Sequence, residues 1–135
     1  MGTQGQHLTP ELGEPFVWGQ TDCVCLVLRW VDRVWKTDLS KLAVGQYDNP
    51  ESAYLRQKEI DPVELLRGIG YDDFAAYPAR SGDCFIGRHG IMPSMGFVWR
   101  GEVWSSAESH GVFSVPLMRL HKLNMGWALC RRLPR

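Results

Sequence analysis

Cys23 directly follows Asp22 at the point where a polar cap gives way to a long apolar-patterned segment, which puts a thiol in the first turn of a helix. The backbone N–H groups and the positive dipole end found there favour thiolate, the nucleophilic form, whereas burial among apolar side chains disfavours it. A helix turns about 100° per residue, so Cys23 shares a side with Val27, Trp30 and Val34. Cys25 is turned about 200° away, nearer a charged stripe, and the two thiols are poorly placed to grip one metal. A cysteine nucleophile also needs a base. His89, between glycines in Gly87-Arg88-His89-Gly90, reads as a loop that either folds back towards the helix start or remains at the surface. His110 lies in the turn Ser109-His110-Gly111, His121 in the basic connector Arg119 to Lys122, and His7 in the N-terminal arm. Cys23, Cys25, Cys84 and Cys130 fall on different elements without ligand spacing, so thiols are expected and no metal or other cofactor. Gly82 to Gly90 lacks the Lys and the spacing of a phosphate loop, and no serine elbow is present.

The elements that must position Cys23 are legible in the periodicity. Residues 1–15 read as an extended arm and 16–135 as one domain, because 135 residues leave little material for a second core. After the apolar lead-in Phe16-Val17-Trp18-Gly19, Thr21 or Asp22 caps a helix running to about Trp35. Arg29, Asp32, Arg33 and Lys36 form its solvent stripe, opposite Val27, Trp30, Val31 and Val34. Asn49-Pro50 and Asp61-Pro62 are cap-then-proline starts, which predict short helices at about 50–59 and 62–69. The period then shifts towards two. Cys84 to Arg88, Ser94 to Arg100, Glu102 to Ala107, Val112 to Leu117 and Met125 to Arg132 read as strands, with a hairpin at Arg100-Gly101. Helices followed by an antiparallel meander predict an α+β domain with its helices on one face of a curled sheet.

The order of these motifs resembles a known family. Phe16-Val17-Trp18-Gly19-Gln20-Thr21-Asp22-Cys23 is similar to the stretch in which an Asp-Cys pair opens the first helix of NlpC-like cell-wall cysteine peptidases, enzymes of papain-like fold. Ser81-Gly82-Asp83 before Cys84-Phe85-Ile86 resembles the Gly-Asp turn that starts their first strand. Met95-Gly96-Phe97-Val98, Val103-Trp104-Ser105-Ser106 and His110-Gly111-Val112 resemble the strands and turn that follow, and Trp127-Ala128-Leu129 the closing strand of a compact branch among bacteriophage tail genes. The resemblance spans Phe16 to Arg132. It implies Cys23 as nucleophile, but the position of the family's catalytic His holds Ser94, and the third polar position falls near Ser105 or Ser106. Serine cannot shuttle a proton near neutral pH as imidazole does.

Two functions follow as expectations. The first is a structural or assembly component of a bacteriophage tail or tail tip, a pseudoenzyme on a degenerate peptidase fold. It would contact other tail proteins (hub, distal-tail or fibre-type neighbours), in a symmetric ring, through Trp99, Trp104, Phe113 and the arm. The second is an active peptidoglycan endopeptidase, with Cys23 as nucleophile and His89 recruited as base. Zero formal net charge argues against a dedicated nucleic-acid binder, and 44% hydrophobic with 22% charged residues against a disordered chain. Met1 to Glu14 lacks the apolar run of a signal peptide, and no stretch approaches the roughly 18 apolar residues that span a bilayer. The expected location is the host cytoplasm during assembly, then the virion tail.

Overall fold

The computed structural model describes residues 13–73, 79–89, 92–117 and 128–132. His7, His121, most of the arm and Met125 to Trp127 lie outside them. Helix α1, Cys23–Trp35, begins because the Asp22 side chain accepts from the Cys25 N–H at 3.1 Å, so the aspartate is the cap. Thr21 has a different task. Its hydroxyl donates to the Pro15 carbonyl at 2.6 Å and accepts from the Val17 N–H at 2.7 Å, folding the lead-in against the helix start. The helix ends at Lys36, which takes a left-handed conformation (φ 59°).

Asp32 does more than face solvent. Its carboxylate accepts from the Thr37 hydroxyl and from the N–H groups of Leu39 and Ser40 at 2.7–2.9 Å, and so fastens the 3₁₀ turn Ser40–Leu42 to α1. Helices α2, Pro50–Ile60, and α3, Pro62–Gly68, start at Asn49 and Asp61, each of which caps with its side chain.

Among the described residues the sheet has six strands, all paired antiparallel: β1 Tyr71–Asp73, β2 Cys84–His89, β3 Met92–Trp99, β4 Glu102–Ala107, β5 Gly111–Pro116 and β6 Ala128–Arg132. Their order is β1-β6-β2-β3-β4-β5, so the last strand inserts between the first two. The chain is thus α+β. The strand β1 is an addition to the sequence reading, and β2 runs on through His89, which pairs with Met92 and is not in a loop. Arg100 and Gly101 both have positive φ (50° and 82°), the backbone that a tight hairpin between β3 and β4 requires.

Helix α1 packs on β3 and β4. Trp30 lies edge-on to Phe97 with ring centroids 5.1 Å apart, and 5.6 Å from Trp104. Val24, Val27, Leu28 and Val31 are fully buried around them. Cys25 stands on the Arg29 side of α1, as its spacing implies, but it is fully buried there, with the Tyr47 hydroxyl 3.5 Å from its sulfur. One prediction fails here. Trp104 belongs to the core at 7% exposure, so it cannot offer its ring to a partner. Trp99 and Phe113 are half-buried, Trp99 beneath the Arg100 guanidinium and Phe113 beside His110. Among the described residues the exposed large apolar side chains are Val17 and Leu55. No helix there is long and apolar enough to cross a membrane.

Candidate functional site

The site is a cleft of about 320 Å³ at the N-terminal end of α1. Phe16, Trp18, Asp22 and Cys23 line it from the lead-in and the helix start, and Gln57 from α2. The sheet contributes Ser94 of β3, Ser106 and Ala107 of β4, and Glu108 and Ser109 of the following turn. Cys23 and Ser94, two of the three residues singled out for the catalytic positions, therefore line one cavity. The backbone of His89 closes β2, while its side chain lies outside the described residues. Of the two serines singled out on β4, Ser105 donates to the Met95 carbonyl at 2.6 Å, and Ser106 lines the cleft.

Beneath the cleft lies a buried polar cluster. Asp22, 2% exposed, accepts from the Gly19 N–H at 2.7 Å through Oδ2. Its Oδ1 accepts from the Cys25 N–H and, at 3.0 Å, from the Tyr47 hydroxyl. Gln57 Nε2 donates to the Tyr47 oxygen at 3.1 Å, and Cys25 Sγ lies 3.5 Å from the same oxygen. Gly19 makes the approach possible, since it has φ +80° and a Cβ there would stand 1.9 Å from the Tyr47 carbonyl oxygen.

The electrostatics disfavour the Cys23 thiolate. Burial, the largest effect, pushes the Cys23 thiol up to about 12; the backbone of Met95 opposes it, the nearby charge of Asp22 adds a smaller push, and the backbone N–H groups of Val24 and Cys23 itself give the weakest help. The activation expected from the helix end is outweighed because the thiol sits against apolar core and next to a carboxylate. Cys25 is pushed up to about 12 by the same two causes, burial first. Burial and the Asp22 charge also raise the Tyr47 hydroxyl. Cys23, Cys25 and Cys84 are thiols, and among the described residues no three His, Cys, Asp or Glu side chains converge on a metal position.

The family described as a domain of unknown function, DUF6950, matches residues 6–127, which contain the whole cleft. The chain belongs to the DUF6950 family. No curated protein matches it.

In this DUF6950 chain, sequence reasoning missed Tyr47 and Gln57. Both come from segments far along the chain from Cys23 and carry no motif. The available signal was weak: a glutamine on α2 turned to the buried side, spaced four residues from Ala53.

Proposed function

We propose that the protein is a non-catalytic assembly component, a bacteriophage tail or tail-tip part built on a degenerate NlpC-like, papain-like fold. The observation that carries this reading is the cleft itself. Its thiol is pushed up to about 12, and the residue sharing its wall at the position of the family's His is Ser94. A thiol raised that far is held in its protonated form near neutral pH, a poor nucleophile without a base. The motif order from Phe16 to Arg132 supports the tail assignment, with neighbouring tail proteins as partners and the virion as destination. The half-buried rings of Trp99 and Phe113 and the exposed Val17 are the contact candidates.

A second reading keeps Cys23 as nucleophile of a peptidoglycan endopeptidase with His89 as base. The partial exposure of Cys23 in a cleft of this size favours it. Alkylation of each cysteine across pH 6 to 10, read by mass spectrometry, separates the two. The assembly reading expects Cys23 to react more slowly than an ordinary thiol throughout, no muropeptide release from cell wall, and the chain present in purified particles. Rapid alkylation below about pH 7 that is lost in His89→Ala, with muropeptide release abolished by Cys23→Ala, would establish the enzyme instead.

A further inference from the structure

Two buried polar atoms in the cleft lack a protein partner: Gln57 Oε1 and Ser106 Oγ. The residues are 4% and 7% exposed, and both line the cavity. The orientation of the Gln57 amide follows from its neighbours. Asp22 can only accept, so the Tyr47 hydroxyl spends its proton on Oδ1 and its oxygen must itself accept. Gln57 meets that oxygen through Nε2, which leaves Oε1, a pure acceptor, turned away from Tyr47. A buried acceptor without a donor costs about 1–3 kcal/mol, so the cleft is built for something that brings N–H or O–H to it.

Charge and shape narrow the chemistry. The ionisable carboxyl groups on the cleft wall are Asp22 and Glu108, and no Lys or Arg lines it among the described residues. Glu108 is exposed at the rim and makes no salt bridge among the described residues. Phe16 and Trp18, edge-to-face with centroids 4.8 Å apart, supply an aromatic wall that suits an alkyl stem and attracts a cation.

We propose that the cleft is a socket for a primary alkylammonium group, the head of a lysine side chain presented by a protein partner. Its N–H groups satisfy Gln57 Oε1 and Ser106 Oγ, Glu108 supplies the opposite charge, and the stem lies along Phe16 and Trp18. The lysine's source rests on the assembly reading, but the chemistry of the socket does not.

The test is NMR titration of the full chain with Nα-acetyl-lysine N-methylamide, its norleucine analogue and its glutamate analogue. The lysine compound is expected to shift the Gln57 side-chain amide and the Trp18 indole saturably, and the other two not. Ser106→Ala should weaken binding about tenfold, as for loss of one hydrogen bond to a charged group. Glu108→Gln, at the exposed rim, should weaken it a few-fold and reduce its dependence on salt. The socket is overturned if the norleucine compound binds equally or no saturable shift occurs. It is also overturned if a crystal shows ordered water on Gln57 Oε1 and Ser106 Oγ that the lysine compound does not displace. Binding of the lysine compound by a chain absent from particles would uphold the socket and refute the assembly reading.

Discussion

At the scale of single residues, Tyr47 joins the cleft to the core. Its hydroxyl donates to Asp22, accepts from Gln57 and touches Cys25, so one oxygen connects the helix cap, α2 and the buried face of α1. Tyr47→Phe keeps the ring but leaves Gln57 Nε2 without its acceptor and the Asp22 carboxylate short of one donor. The loss should be about 1–3 kcal/mol, read as a lower urea midpoint at unchanged slope. Gly19→Ala should cost at least as much, because the added Cβ meets the Tyr47 carbonyl at 1.9 Å and the backbone there is left-handed. The sequence shows Cys23 and Asp22 plainly because a helix cap is a local pattern within three residues. It does not show Tyr47 or Gln57, whose roles exist only once segments 25 and 35 residues away from Asp22 fold over it. The same limit explains the thiol: dipole help is readable from position, but the burial that outweighs it depends on packing.

At the scale of elements, Asp32 holds α1 to the 3₁₀ turn. Burial works to raise its pKa, but the hydrogen bonds from Leu39, Ser40 and Thr37 outweigh it and leave the carboxyl below its ordinary value. A carboxylate depressed in the folded state adds stability that is fully present above its unfolded pKa, about 3.9, and lost as pH falls through the folded value. Stability of the wild-type chain should therefore fall with acid below about pH 4 through this group. Asp32→Asn should be less stable at pH 7 and should lack that part of the acid slope, measured as urea midpoints from pH 7 to pH 3. The helix boundaries were readable because Asn49-Pro50 and Asp61-Pro62 cap in the sequence as they do in the fold. The strand β1 was not, since three residues, Tyr71-Asp72-Asp73, are too few to show alternation and owe their extended form to pairing with β6. Trp104 was misread for a related reason. Val103 to Ser106 of β4 are all buried, so both faces of the strand are covered, and it is tertiary packing that brings the ring of Trp104 under Trp30 of α1.

At the scale of the molecule, the sheet order places its last strand in the interior. The strand β6 pairs with β1 on one side and β2 on the other, Cys84 standing opposite Cys130 and Tyr71 opposite Arg132. Arg132 also reaches over the Trp35 ring at 4.8 Å and donates to the Ile69 carbonyl, so the end of the sheet is tied to the end of α1 and to the turn after α3. Tyr71 closes the same corner, accepting from the Trp35 indole and donating to the Gly82 carbonyl. Removing residues 128–135 would thus strip β1 of its pairing and open the edge of β2, whose own Phe85 and Ile86 are buried. An open, apolar strand edge pairs with other chains. The truncated protein should be recovered mainly as aggregate, and any soluble fraction should lose its cooperative thermal transition by circular dichroism. The cleft lies at the other side of the sheet, lined by β3 and β4, yet it should be lost with the rest. α1 carries Cys23 at its start and Trp35 at its end, so a fold that releases Trp35 releases the helix that positions the thiol. A truncated chain that melted cooperatively and kept the slow Cys23 alkylation of the full protein would show instead that α1, β3 and β4 form an independent unit.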